Sequence, residues 1–192
     1  MASQLDLFSS PPALPEGFRY TPEVITASDE QALLEDLRRL PFTEFDFHGY
    51  VGKRRTVSFG ASYDFATERV RSAAEMPAFL RGLRAVAAAF AGLPAESLQQ
   101  ALVTEYGRGA GIGWHRDKGV FDRIVGISLV STCRFRLRRR RAAGWERFAV
   151  DASPRSAYLL SGPARTEWEH SVPAVEQLRY SVTFRSLRAV VA

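Results

Sequence analysis

Arg179-Tyr180-Ser181-Val182-Thr183-Phe184-Arg185 alternates without a break. In an extended chain successive side chains point to opposite faces. Tyr180, Val182 and Phe184 therefore fall on one side, and Arg179, Ser181, Thr183 and Arg185 on the other. The pattern predicts a strand with one apolar face and one polar face that carries an arginine at each end. Buried guanidinium groups without partners are costly. A dicarboxylate would satisfy them, since arginine's planar fork matches a carboxylate through two parallel hydrogen bonds.

The surrounding chain agrees with a β architecture. Short alternating runs at 98–106, 123–130, 132–138, 145–150, 156–161, 165–170 and 178–187, broken by Gly and Pro, predict a sandwich or barrel. Two helices precede them. Ser28-Asp29-Glu30-Gln31 reads as a capping box, followed by Leu33, Leu34, Leu37 and Leu40 at helical spacing until Pro41. A second helix is expected from Pro77 through Leu80, Leu83, Val86 and Phe90 to Gly92. The fold class is mostly β with flanking helices, an α+β arrangement.

Upstream of the arginine strand lie two of the chain's three histidines in a suggestive pattern, His115-Arg116-Asp117 and His170. His115 and Asp117 are two residues apart, so on a strand they reach the same side. His170 would come from a neighbouring strand. Two imidazoles and one carboxylate on one face of a metal leave positions open, the facial triad of non-haem iron(II) oxygenases. A His-Arg-Asp run also occurs in kinase catalytic loops, but no Gly-rich loop, strand lysine or Asp-Phe-Gly accompanies it, and the chain is too short for that fold.

Taken together, Tyr106, His115-Arg116-Asp117, His170 and Arg179-x-x-x-Thr183-Phe184-Arg185 resemble the AlkB family of iron(II)- and 2-oxoglutarate-dependent dioxygenases. Ile127-Ser128-Leu129, Ser161-Gly162-Pro163-Ala164-Arg165 and Glu169-His170-Ser171-Val172-Pro173 agree, so the likeness covers nearly the whole chain. The resemblance implies a double-stranded β-helix, or jelly-roll, core with two helices buttressing one sheet and the metal in the barrel mouth. It implies that His115, Asp117 and His170 ligate iron(II) and form the catalytic centre, where O2 reacts. Arg179, helped by Tyr106, would bind the distal carboxylate of 2-oxoglutarate. Thr183 would lie along that pocket, and Arg185 near the metal-side carboxylate and the aspartate. The implied activity is oxidative demethylation or dealkylation of nucleobases in DNA or RNA, releasing an aldehyde, succinate and CO2. Two positions depart from the better-known members. Thr104 stands where asparagine is common, and Lys118-Gly119 replaces a short acidic segment that contacts the methylated base in some members. The second departure leaves room for a protein or small-molecule substrate; a non-catalytic nucleic-acid-binding module is the remaining alternative.

Composition is consistent with one globular domain over residues 15–192, led by a flexible stretch at 1–14. The chain has 192 residues, 46% of them hydrophobic, and a single cysteine, Cys133. That cysteine usage fits a reducing cytoplasm without disulfides. No apolar run approaches a membrane span and no secretory leader is evident. The net charge of +5 favours an anionic partner, and no obligate protein partner is indicated. Residues 45–65 read as a substrate-recognition lid, with Tyr50, Lys53, Arg54 and Arg55 as candidate contacts and Trp114 as a candidate wall for a base. Arg134, Arg136 and Arg138, then a cluster at Arg139, Arg140 and Arg141 on a turn, could follow phosphates. Single-stranded nucleic acid is the favoured partner, because a base there need not be pulled from a duplex.

Overall fold

A computed structural model describes residues 14–188 apart from 48, 49, 65, 66 and 68, together with the backbone only of 45–47 and 50–52. The lead-in at 1–13 lies outside the described residues. In chain order the elements are β1 (Phe18–Thr21), α1 (Ala27–Leu37), β2 (Thr43–Phe47), β3 (Tyr50–Phe59), β4 (Ala61–Asp64), β5 (Arg69–Ser72) and α2 (Ala78–Ala91). Next come β6 (Leu98–Tyr106), β7 (Ile112–His115), β8 (Phe121–Leu129), β9 (Cys133–Arg141), β10 (Gly144–Ala152) and β11 (Ala157–Leu160). The chain closes with α3 (Gly162–Thr166), β12 (Glu169–Val172) and β13 (Arg179–Leu187).

A seven-stranded antiparallel sheet in the order β1-β11-β8-β13-β6-β3-β2 faces a four-stranded one in the order β10-β9-β12-β7. This is the jelly-roll expected. β13 runs through the middle of the larger sheet and divides two cores. Tyr180, Val182 and Phe184 pack with Val103, Ile127 and Leu159 against Leu33 and Leu37 of α1 and Leu80 and Leu83 of α2. The second core lies between the sheets, where Phe135 and Leu137 of β9 meet Ile124, Tyr158 and Leu160. Gly126 is required there. A Cβ on it would sit 2.2–2.5 Å from ring atoms of Tyr158, which crosses over it.

Local signals worked unevenly. Pro77 caps α2 and Gly92 closes it in a left-handed conformation, φ 68°. The capping box of α1 is not Ser28-based: Thr26 accepts the Asp29 N–H, and Asp29 answers to the Thr26 backbone. The helix thus starts before Ser28, which frees Glu30 to point inward. Glu30 accepts the Val130 N–H at 2.8 Å and pairs with Arg155 at 3.0 Å. Both Val130 and Arg155 have positive φ, so this buried carboxylate ties α1 to two constrained turns. The run at 165–170 is not one strand. Pro163 opens the short helix α3, and β12 begins only at Glu169. Arg139, Arg140 and Arg141 belong to β9 rather than to a turn, which falls at 142–143. Among the described residues no helix is long and apolar enough to cross a membrane, and Cys133 is a buried free thiol.

Replacing Glu30 with Ala leaves the Val130 N–H without its acceptor and Arg155 without its buried partner. The expected loss is about 1–3 kcal/mol of unfolding free energy, measured by urea titration.

Candidate metal and cosubstrate site

The polar face of β13 does not look toward the helices but into a cavity of about 700 Å³ between the sheets. Register places its residues in rows. Arg179 lies across from Tyr106 on β6, and Tyr106 across from Arg54 on β3. Ser181, Thr104 and Thr56 form the next row, and Arg185 sits opposite Gln100. All eight line the cavity. A period-two pattern on three adjacent strands has therefore built one polar wall.

The minor sheet supplies the opposite wall. His115 at the end of β7 is the direct cross-strand partner of His170 on β12, with ring centroids 4.2 Å apart. Asp117 follows two residues later, beyond the strand end. His115, Asp117 and His170 each offer a ligand atom, and these atoms lie within 4.8 Å of one another. His115 Nδ1 is 2.9 Å from the Gly113 carbonyl. A carbonyl only accepts, so Nδ1 is the donor in this contact and Nε2 is the ring nitrogen left for a metal. Asp117 Oδ1 accepts from Arg185 Nε at 3.0 Å and Nη2 at 2.8 Å, while Oδ2 faces His170 Nε2 at 3.5 Å. Arg185 Nη1 is in turn held by Gln100 Oε1.

Charge states suit ligation. Burial alone would raise the Asp117 carboxyl, but Arg185, His170 and His115 outweigh it and hold the group below the usual carboxylate range. His170 is pushed down to about 3 by burial and by His115, against the pull of Asp117. At neutral pH the trio is one carboxylate and a neutral imidazole at His170 beside His115, a donor set that fits iron(II) or another first-row divalent ion. Arg179 tests the fit to a dicarboxylate. It is 1% exposed; its Nε and Nη2 donate to Ser128 Oγ, and its Nη1 has no hydrogen-bond partner. The guanidinium lies 5.0 Å from the Tyr106 ring centre. A buried cation with a spare donor facing a cavity is a site for an anion's oxygen.

The structure separates the remaining candidates. Thr183 lines the same cavity. Lys53-Arg54-Arg55 is not one cationic patch. Arg54 faces the cavity, Lys53 is exposed, and Arg55 points to the other face, where it pairs with Glu105 at 2.6 Å. The Tyr50 side chain lies outside the described residues. Trp114 is at the cavity rim, with the guanidinium groups of Arg136 and Arg138 4.9 and 4.4 Å from its ring centre. Lys118 lines the cavity and its Nζ lies 5.3 Å from the ring centre of Tyr63 on β4. Sequence reading missed Gln100 and Ser128, which hold the two arginines. Both were visible as polar residues on the inward phase of otherwise apolar strands. It also missed Arg165, buried, whose Nη2 donates to the Lys118 and Phe121 carbonyls and fixes the loop that carries Asp117.

Comparison with known proteins places the chain. Residues 17–185 match the 2OG-Fe(II) oxygenase superfamily, and the chain belongs to that superfamily. It is a 2-oxoglutarate-dependent dioxygenase, of a class that uses iron(II), 2-oxoglutarate and O2. Within the class it is similar to AlkB-type proteins. It is 28% identical to the alkylated DNA repair protein ALKBH8 homolog of Arabidopsis thaliana, covering 91% of this chain and 56% of that protein. The chain thus spans little more than half the length of that relative. The fold is similar to that of OsALKBH1, with a TM-score of 0.67 and 15% identity over 91% of this chain and 100% of the other. A prolyl-4-hydroxylase of Pseudomonas putida shares the fold at a TM-score of 0.59 and 14% identity, over 90% of this chain and 94% of that one. A Trichoplax adhaerens prolyl hydroxylase solved with a hypoxia inducible factor peptide does so at 0.64 and 12%, over 89% and 83%.

The His170 shift gives a pH test on metal-free protein. His170 stays neutral in the folded state far below the 6.5 of the free side chain, so the unfolded state binds the extra proton as pH falls through that range. Stability should therefore decline from pH 6.5 toward pH 5. His170→Gln should flatten the decline by up to about 1.4 kcal/mol per pH unit, read from urea midpoints.

Proposed function

We propose that this chain oxidatively dealkylates nucleobases in DNA or RNA, with His115, Asp117 and His170 holding iron(II) and Arg179 holding the distal carboxylate of 2-oxoglutarate. The observation that carries the reading is one cavity containing both a three-ligand cluster and a buried guanidinium with an unused donor. Iron(II) held by these residues would activate O2, one oxygen atom of which would enter 2-oxoglutarate to give succinate and CO2 and the other a substrate C–H bond. If the carbon is an N-alkyl group, the hydroxylated product releases an aldehyde and the restored amine.

The protein's own residues do the positioning. Arg179 orients the cosubstrate through its fork, with Ser128 fixing the guanidinium and Tyr106 flanking it. Thr183 lies between the two arginines on the same face of β13. Arg185 keeps Asp117 ionised and turned so that Oδ2 remains on the histidine side.

A nucleic-acid substrate is supported by the net charge, by Arg54 in the cavity, and by the name of the Arabidopsis relative, an alkylated DNA repair protein. Residues 45–65 would serve as the lid, with Arg54 inside the cavity and Lys53 exposed beside it. Trp114 would bound the rim. Single-stranded substrate is favoured, since flipping a base from a duplex takes a few kcal/mol.

Formaldehyde release over methylated oligonucleotides, single- and double-stranded, compared with formaldehyde release from methylated peptides and succinate formation with proline-containing ones, tests this reading. Turnover on peptides alone would transfer the chain to a protein oxygenase. His115→Ala, Asp117→Ala and His170→Ala should each abolish 2-oxoglutarate turnover with the fold retained by circular dichroism. A His170→Ala protein with near-native turnover would remove it from the ligand set.

Arg179→Ala should weaken 2-oxoglutarate binding about a hundredfold, roughly 3 kcal/mol, by calorimetry. Arg179→Lys should restore part of it, because lysine lacks the fork. Unchanged affinity in the alanine variant would overturn the role given to Arg179.

A further inference from the structure

The outer face of the minor sheet remains unused by the site just described. Phe135 and Leu137 of β9 turn inward, so Arg134, Arg136, Arg138 and Arg140 turn outward. Register places Trp145, Arg147 and Asp151 of β10 on the same face, opposite Arg140, Arg138 and Arg134. From the other edge, Trp114 of β7 reaches across β12 to Arg136 and Arg138, and Ser171 beneath is wholly buried. Arg138 lies 4.4 Å from the Trp114 ring centre and 4.2 Å from that of Trp145. The result is a continuous band, Trp114–Arg136/Arg138–Trp145/Arg140, across all four strands.

Its charge is not balanced. Arg134 pairs with Asp151 and Arg138 with Glu169. Arg136 donates to Ser171, while Arg140 and Arg147 are exposed; none of these three has a carboxylate partner among the described residues. Five arginines thus face two carboxylates on one sheet surface. The band also starts at the metal site, since Trp114 is the residue before His115. By contrast Arg139 and Arg141, on the opposite phase of β9, are absorbed by Glu146 and Glu167.

We propose that this outer face is a track for single-stranded nucleic acid flanking the nucleotide held at the metal site. Phosphates would meet Arg136, Arg140 and Arg147, and unstacked bases would lie on Trp145 and on the free side of Trp114. Fixed cations interleaved with aromatic rings suit a strand whose bases are unpaired. The proposal rests on the nucleic-acid reading above and extends it to a second contact region.

The test uses the full chain, iron-free, with an unmodified single-stranded DNA 20-mer as probe. Arg140→Glu/Arg147→Glu is compared with wild type and with Trp145→Ala, with folding checked by an unchanged Tm. The double variant should bind at least tenfold more weakly at low salt. Its plot of log affinity against log salt should be shallower by about 1.4, two phosphate contacts at about 0.7 each. Trp145→Ala should lose at least fivefold in affinity while keeping the wild-type slope. Unchanged affinity and slope in the double variant overturn the track. So does equal displacement of the probe by poly-glutamate, which would mark a surface for acidic protein. If wild type dealkylates oligonucleotides but the variants bind normally, only the track fails. If wild type neither binds nor dealkylates them, the nucleic-acid reading fails with it.

Discussion

Arg185 grips one oxygen of Asp117 with two hydrogen bonds and leaves the other oxygen facing His170. The rest of the site depends on this division. An aspartate buried among histidines in a protein interior would otherwise take up a proton, since burial favours its neutral form. With the guanidinium in place it stays charged and held in one orientation. The ion pair also joins the sheets: Arg185 belongs to the central strand of the large sheet, Asp117 to the loop leaving the small one. Gln100 behind Arg185 and Arg165 behind the Asp117 loop extend the same restraint into both walls. Removing either partner would leave the other a buried, uncompensated charge.

Strand β13 shows why so much polar surface can be enclosed. Its apolar phase packs against two helices and its polar phase against the cavity, so one nine-residue strand serves both halves of the molecule. This explains why its alternation could be read directly from the chain. A strand buried on both faces is usually apolar throughout; arginine, serine and threonine at every second position mark a cavity on that side. The clustering of His115, Asp117 and His170 was legible for a similar reason, because a two-residue spacing and a cross-strand partner are simple geometry.

Other features were hidden by tertiary context. The sequence Ser28-Asp29-Glu30-Gln31 satisfies the capping pattern, yet Thr26 wins because Glu30 is needed at Val130 and Arg155, far along the chain. The three cations at 53–55 looked like one patch, but strand alternation sends Arg54 and Arg55 to opposite faces, and only the partner Glu105 explains Arg55. In β9 the arginines resemble a uniform basic stretch. Which of them are neutralised depends on carboxylates of the hairpin partner β10 and on Glu167 and Glu169, 28 and 31 residues from the arginines they meet.

The distribution of tryptophan carries an optical consequence. The chain has three: Trp114 precedes one histidine of the cluster, Trp168 lies two residues before the other, and Trp145 stands over Arg138. None belongs to the core between the helices and the large sheet. Indole emission from this protein therefore comes entirely from the neighbourhood of the small sheet. Excitation of these rings monitors one half of the molecule, the half that carries the His115–Asp117–His170 cluster, and is blind to rearrangements confined to the helical side.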